Sequence, residues 1–186
     1  MITVAIIGAG PLGRWLALAA AKAGFRVLLE DVMPSNLHHA QEALRAELGA
    51  EALGESSRVA FVSTIEDAVQ NADLAIDCVP DELESKLEIL WLLDRMAPPR
   101  TVLATPTTRL SIGDLASCTY RADKVIGIGA EAASLAAGSA GAIELRTTAK
   151  TSEETVALLT VFWRRLGFSP EFARETSPAG SQIERS

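Results

Sequence analysis

Histidine is scarce in this chain of 186 residues: there are two, His38 and His39, and none follows them. Being adjacent, they point to different sides of a helix and lack the i, i+4 spacing of a helical metal pair. They read as surface residues, and no metal site is expected. Cysteine is equally sparse. Cys78 and Cys118 are far apart and match no metal spacing. Cys78 falls in an apolar strand, so a buried, inert thiol is expected, and a reducing cytoplasm fits. No apolar run is long enough to span a bilayer, since the alanine-rich stretch at 16–23 is broken by Lys22. No basic region precedes the first apolar run, so no signal peptide is expected. Positive charge is in deficit, with 17 Lys and Arg against 24 Asp and Glu, a net charge of −7. That disfavours nucleic acid and anionic membrane as main partners. Against these shortages, 48% of the residues are hydrophobic, and the length suits one domain with a sizeable core.

What is present is concentrated at the start. The apolar run 2–7 leads into Gly8-Ala9-Gly10-Pro11-Leu12-Gly13, an alanine-rich helical stretch, a second apolar run at 27–29, and then Glu30-Asp31. Strand, glycine turn, helix, strand and acid in that order form the dinucleotide-binding fingerprint in its required context. Gly8 permits the tight turn, Gly10 lets backbone approach a pyrophosphate, and Gly13 lets the helix pack on the sheet. The helix start offers free N–H groups and a positive dipole end to phosphate. Asp31 is placed to bind the ribose hydroxyls of NAD and to repel the extra phosphate of NADP. A one-residue slip in register makes Glu30 the inward acid instead.

The remaining pattern alternates. A helix is expected over 34–48, a polar loop over 49–57, and a strand over 58–63. A small helix at 65–71 is followed by a strand over 73–79 that suits a parallel position buried on both faces. A helix over 82–96 stops at Pro98-Pro99. Strands at 101–105 and 124–129 flank a short helix at 111–117. Residues 130–142, almost all Ala, Gly and Ser, read as a loop with few chemical groups. A strand at 143–148, a helix from the N-cap Ser152 to about 166, and a short strand at 170–174 complete the pattern. The expected architecture is an α/β, Rossmann-type, doubly wound and mostly parallel sheet with helices on both faces. Residues 1–176 form the dinucleotide-binding domain, and residues 177–186 a loose tail.

Several motifs resemble the N-terminal, NAD-binding domain of the 3-hydroxyacyl-CoA dehydrogenases, over nearly the whole chain. Val79-Pro80-Asp81-Glu82-Leu83-Glu84-Ser85-Lys86 is similar to the family's V-P-E-x-L-x-x-K. Thr105-Pro106-Thr107-Thr108-Arg109-Leu110-Ser111-Ile112 resembles T-N-T-S-S-L-x-I. Ile143-Glu144-Leu145 and the run 151–155 resemble V-E-V and T-S-x-x-T. The resemblance implies NAD as cofactor. It implies Gly8, Gly10, Pro11, Leu12, Gly13, Asp31, Val79, Pro80, Asp81, Lys86 and Thr105 as its binding residues.

The departures are equally specific. The family's reaction passes hydride from a 3-hydroxyacyl thioester to NAD, with a histidine of an H-F-F-N-P motif as base and a glutamate to orient it. Here the histidine position is Gly129, followed by Ala130-Glu131-Ala132-Ala133, while the orienting glutamate survives as Glu144. A missing general base costs on the order of 10²–10⁴-fold in rate. The family asparagine becomes Pro106, and the assisting serine becomes Thr108, which keeps a hydroxyl. Thr108 and Glu144 are the remaining catalytic candidates, with Glu131 an alternative source of a base. Trp15, on the first turns of the phosphate helix, either crowds the cofactor or packs under a neighbouring loop. The sequence stops where the family's C-terminal helical domain would begin, so an acyl-CoA is expected to bind weakly in a one-walled cleft. Two readings follow: an NAD-dependent oxidoreductase with altered or lost activity, and a non-catalytic NAD(H)-binding or sensing module acting with a partner chain. A homodimer is compatible with either.

Overall fold

The computed structural model of the protein describes residues 1–55, 57–130 and 141–175. Among them, strands β1 (Thr3–Ile7), β2 (Arg26–Glu30), β3 (Val59–Val62), β4 (Leu74–Asp77), β5 (Val102–Pro106), β6 (Val125–Ile128), β7 (Ala142–Thr147) and β8 (Ser169–Arg174) form one sheet in the order β3-β2-β1-β4-β5-β6-β7-β8. Helices α1 (Pro11–Lys22), α2 (Pro34–Leu48), α3 (Ile65–Val69), α4 (Leu83–Met96), α5 (Ile112–Ser117) and α6 (Glu153–Arg165) connect or flank them. Strands β1 to β6 run parallel, β7 is antiparallel to β6, and β8 is parallel to β7. The strand order reverses at β1–β4, which opens a crevice at the carboxyl ends of these strands.

The two faces can be read along β1. Val4 and Ile6 join a cluster with Leu12, Leu16 and Phe162, while Ala5 and Ile7 join the opposite one with Leu90, Leu93 and Leu115. Successive side chains of a strand point to opposite faces, so a run buried on both sides must be apolar throughout. Helix α1 buries Leu12, Gly13, Leu16, Ala17, Ala20 and Ala21. Its small residues bring the helix close to the sheet. Arg165 closes the far end of α1 by donating to Ala23 O at 2.6 Å while stacking over the Phe25 ring. Ser152 caps α6 by accepting from Thr155 N.

Two expectations need correction. The fourth strand ends at Asp77, so Cys78 and Val79 already belong to the loop beyond it. Cys78 is half-buried rather than fully buried, although desolvation and the charge of Asp77 push its thiol up and keep it protonated. Of the two readings of Trp15, the structure takes the packed one: its ring meets Phe168 edge to face at 6.0 Å, in the turn before β8. The stretch 131–140 within the expected small-residue loop, Glu131 included, lies outside the described residues. So does the expected tail at 177–186.

Candidate functional site

The turn between β1 and α1 is shaped by what its glycines lack. Gly8 has φ +104° and donates its N–H to Glu30 O at 2.8 Å, tying the turn to the end of β2. A Cβ on Gly13 would stand 1.8 Å from Gly8 O, so only glycine lets the helix start this close to the strand. A Cβ on Gly10 would meet nothing within 4 Å: the backbone there faces open space. Gly10 is also the N-cap of α1 and supplies no side-chain cap, and Pro11 lacks an N–H. The helix start therefore leaves backbone N–H groups of Leu12 and Gly13 without a helical acceptor, beside the open space at Gly10. That donor set fits a diphosphate.

Asp31 completes the turn. Its Oδ2 accepts from Ala9 N at 2.8 Å and from Asn36 Nδ2 at 3.1 Å, and its Oδ1 accepts from Met33 N at 2.8 Å. The register pairs Ile7 with Glu30, which decides between the two acids: Asp31 reaches the glycine turn, while Glu30 is buried beside it. Burial and the neighbouring Asp31 charge push Glu30's carboxyl up to about 7. Asn36 had no sequence signal, because its role exists only once α2 is placed.

Across the crevice, Val79 is half-buried and Pro80 exposed in the loop after β4. Asp81 Oδ2 accepts from Thr108 N at 3.4 Å, and Arg109 donates to Asp81 O at 2.7 Å, so the loops after β4 and β5 are clasped together. Asp81 Oδ1 is buried without a partner. Thr105 is fully buried at the end of β5. Lys86 is buried too, its Nζ 2.5 Å from Asp77 Oδ1. Thr107 Oγ1 accepts from Arg109 N and Leu110 N and so shapes the loop that leaves Thr108 exposed.

Gly129 and Glu144 face each other across β6 and β7. Gly129 N donates to Glu144 O at 2.9 Å, and a Cβ on Gly129 would stand 2.5 Å from Glu144 Oε1. The carboxyl group thus fills the space that a side chain at 129 would enter. Nearby, Arg146 donates to Thr107 O and pairs with Glu175, which accepts from the N–H groups of Ile112 and Gly113. Neither Arg146 nor Glu175 was singled out in the sequence, because their partners are 29 or more positions away.

A reversing parallel sheet, a glycine turn on a helix start and an acid bonded to that turn define a dinucleotide-binding Rossmann domain. More narrowly, the pattern of the family described as "3-hydroxyacyl-CoA dehydrogenase, NAD binding domain" matches residues 3–175, and the chain belongs to that family. Its cofactor is NAD. The chain is 32% identical over 135 residues to a probable 3-hydroxybutyryl-CoA dehydrogenase of Bacillus subtilis, covering 67% of this chain and 47% of that protein. It is 29% identical over 182 residues to 5-formyl-3-hydroxy-2-methylpyridine 4-carboxylate 5-dehydrogenase of Mesorhizobium japonicum, covering 94% of this chain and 58% of that protein. The crystal structure of (S)-3-hydroxybutyryl-CoA dehydrogenase from Ralstonia eutropha superposes with a TM-score of 0.80 at 25% identity, over 94% of this chain and 64% of that one. The chain therefore spans between about half and two thirds of the length of these relatives. Among the described residues, no helix is long and apolar enough to cross a membrane.

Proposed function

We propose that this chain is the NAD(H)-binding part of an oxidoreductase of the 3-hydroxyacyl-CoA dehydrogenase type whose histidine-based alcohol oxidation is altered or lost. Leu12 and Gly13 hold the diphosphate over Gly10, and Asp31 holds the adenosine ribose through its hydroxyls. Val79, Pro80 and Asp81 line the second ribose. When bound, NAD supplies the acceptor for the two electrons and the hydrogen that leave an alcohol carbon. The chain's own part is to orient the alcohol and take its hydroxyl proton, and Thr108 and Glu144 are the groups left for this.

The observation that carries the reading is Glu144 lying over Gly129. The position that bears a base in the family carries none here, and the remaining carboxylate covers it. Any retained proton transfer passes to Glu144, directly or through water, or to Glu131, which lies outside the described residues. Acyl-CoA thioesters are the substrate class that goes with this reading, and a second copy of the chain is its compatible partner. A non-catalytic NAD(H)-binding module acting with a partner chain is the second reading. It is favoured by Pro106, which has no amide to offer a substrate.

One experiment separates these. Calorimetry with NAD is followed by NADH oxidation with acetoacetyl-CoA, read by absorbance. NAD binding with turnover at ordinary dehydrogenase rates would refute the loss of activity. Binding without turnover supports the module. Silence in calorimetry sinks both readings.

A further inference from the structure

We propose that Arg146 and Glu175 are positioning residues. Together they hold the loop over residues 107–111 in the crevice, and through it they set Asp81 for the nicotinamide half of the cofactor and present Thr108. The inference rests on the NAD-binding reading above. Arg146 lies on β7, and Glu175 directly follows β8. Their side chains form an ion pair and are each 18% exposed, so most of the pair is shielded from water. The guanidinium uses two arms: one meets Glu175, and the other donates to Thr107 O at 3.2 Å, where the loop begins. Glu175 holds the far end of the loop. Its Oε2 accepts from Ile112 N at 2.9 Å, from Gly113 N at 3.1 Å and from Ser111 Oγ at 3.3 Å. Those two amides open α5, where the helix has no acceptor of its own to offer them. Gly127 makes room for the arrangement. A Cβ there would stand 2.4 Å from Ile112 Cδ1 and 3.2 Å from Arg146 Cβ.

The loop held in this way reaches toward the cofactor. Thr107 Oγ1 accepts from Arg109 N at 3.3 Å and from Leu110 N at 3.0 Å, which gives the loop its internal turn. From that turn, Thr108 N donates to Asp81 Oδ2 at 3.4 Å and Arg109 donates to Asp81 O at 2.7 Å. Asp81 is thus steadied from β7 and β8 through one short segment pinned at both ends, which has little conformational freedom left. The adenosine half of the site is built from other elements: the turn between β1 and α1, and Asp31 after β2. Arg146 and Glu175 therefore act on one half of the cofactor and not on the other.

That separation gives the test. ADP carries the adenosine and diphosphate of NAD and lacks the second ribose. Calorimetry of the full chain should show Arg146→Met binding NAD about fivefold more weakly or worse, with ADP within about twofold of wild type. Glu175→Gln should behave alike, since it loses the charge that meets Arg146 and one of its acceptor oxygens. An equal loss for both ligands reports general damage and overturns the inference, as does a folded variant with unchanged NAD affinity. Hydrogen exchange of the ligand-free protein tests the grip itself. The amides of Ile112 and Gly113 should be protected in the wild type, which needs no variant to fold, and should exchange at least about tenfold faster in Glu175→Ala. Unprotected amides in the wild type, or equal rates in both proteins, overturn the inference. Silence of the wild type toward NAD and ADP with those amides protected instead fails the binding reading, and the inference with it.

Discussion

The carboxyl group of Glu144 rests on the α-carbon of Gly129, with Oε1 at 2.5 Å and Cδ at 3.1 Å from where a methyl group on that glycine would sit. Glycine at 129 and the chosen rotamer of Glu144 are therefore two parts of one arrangement. Gly129→Ala should displace the carboxyl group and lower stability by about 0.5–1.5 kcal/mol, the scale of an off-rotamer side chain. In a Glu144→Ala background the same substitution should be close to neutral. Urea unfolding of the four proteins measures the coupling, and an equal cost in both backgrounds would refute the contact.

The glycine turn separates folding from binding. Gly13→Ala places a Cβ 1.8 Å from a backbone oxygen, so strand and helix must part. Its cost should reach about 3 kcal/mol, at the upper end for overpacking, and NAD binding should be lost. Gly10→Ala meets no protein atom and should leave thermal stability within about 0.5 kcal/mol of wild type. Its methyl group nevertheless stands where a diphosphate approaches, so NAD affinity should fall. Melting curves paired with calorimetry check both. An unchanged affinity in Gly10→Ala would place the phosphates elsewhere.

Asp31 carries both order and selectivity. It accepts three hydrogen bonds that join the turn, the end of β2 and the start of α2. A thermal shift of the wild type should appear with NAD and not with NADP. Asp31→Asn keeps one acceptor oxygen, so it loses at least one of the three bonds, and it removes the charge that repels a 2′-phosphate. It should narrow the difference between the two cofactors, and an unaltered preference would move selectivity to another residue.

Glu30 should leave a signature in the pH dependence of stability. Its folded carboxyl titrates at about 7 against 4.5 when unconstrained, so the folded chain holds the extra proton in that interval. The stability linked to Glu30 is fully present below 4.5 and is lost as the pH rises through about 7. Glu30→Gln removes the titration. The difference in melting temperature between variant and wild type should grow in the variant's favour between those two values. A constant difference across the interval would show that Glu30 titrates normally.

Local determinants were readable before the structure. The turn 8–13 and its flanking runs are contiguous, and each glycine's task follows from the chain just before and after it. The register question between Glu30 and Asp31 was not settled there, because a strand's facing depends on its pairing with β1. Lys86 was assigned to the cofactor from its place in a motif. Its burial against Asp77 depends on α4 packing over β4, nine residues of separation that no periodicity encodes. Cys78 was placed inside a strand because its neighbours are apolar, but the ladder to β1 stops at Asp77. The reversal of β7 against β6 likewise arises from long-range pairing across a segment of small residues.

By itself, then, the order of residues determined that a parallel sheet would begin this chain, that a phosphate-binding backbone would follow its first strand, and that no imidazole would stand at position 129. Only the packed sheet decided which acid meets the turn, which charge is sealed inside, and what fills the space beside Gly129. Hydrogen-bonded turns and alternating burial are set by neighbours along the chain. Ion pairs and steric vacancies are set by side chains that meet only after the strands have found their partners.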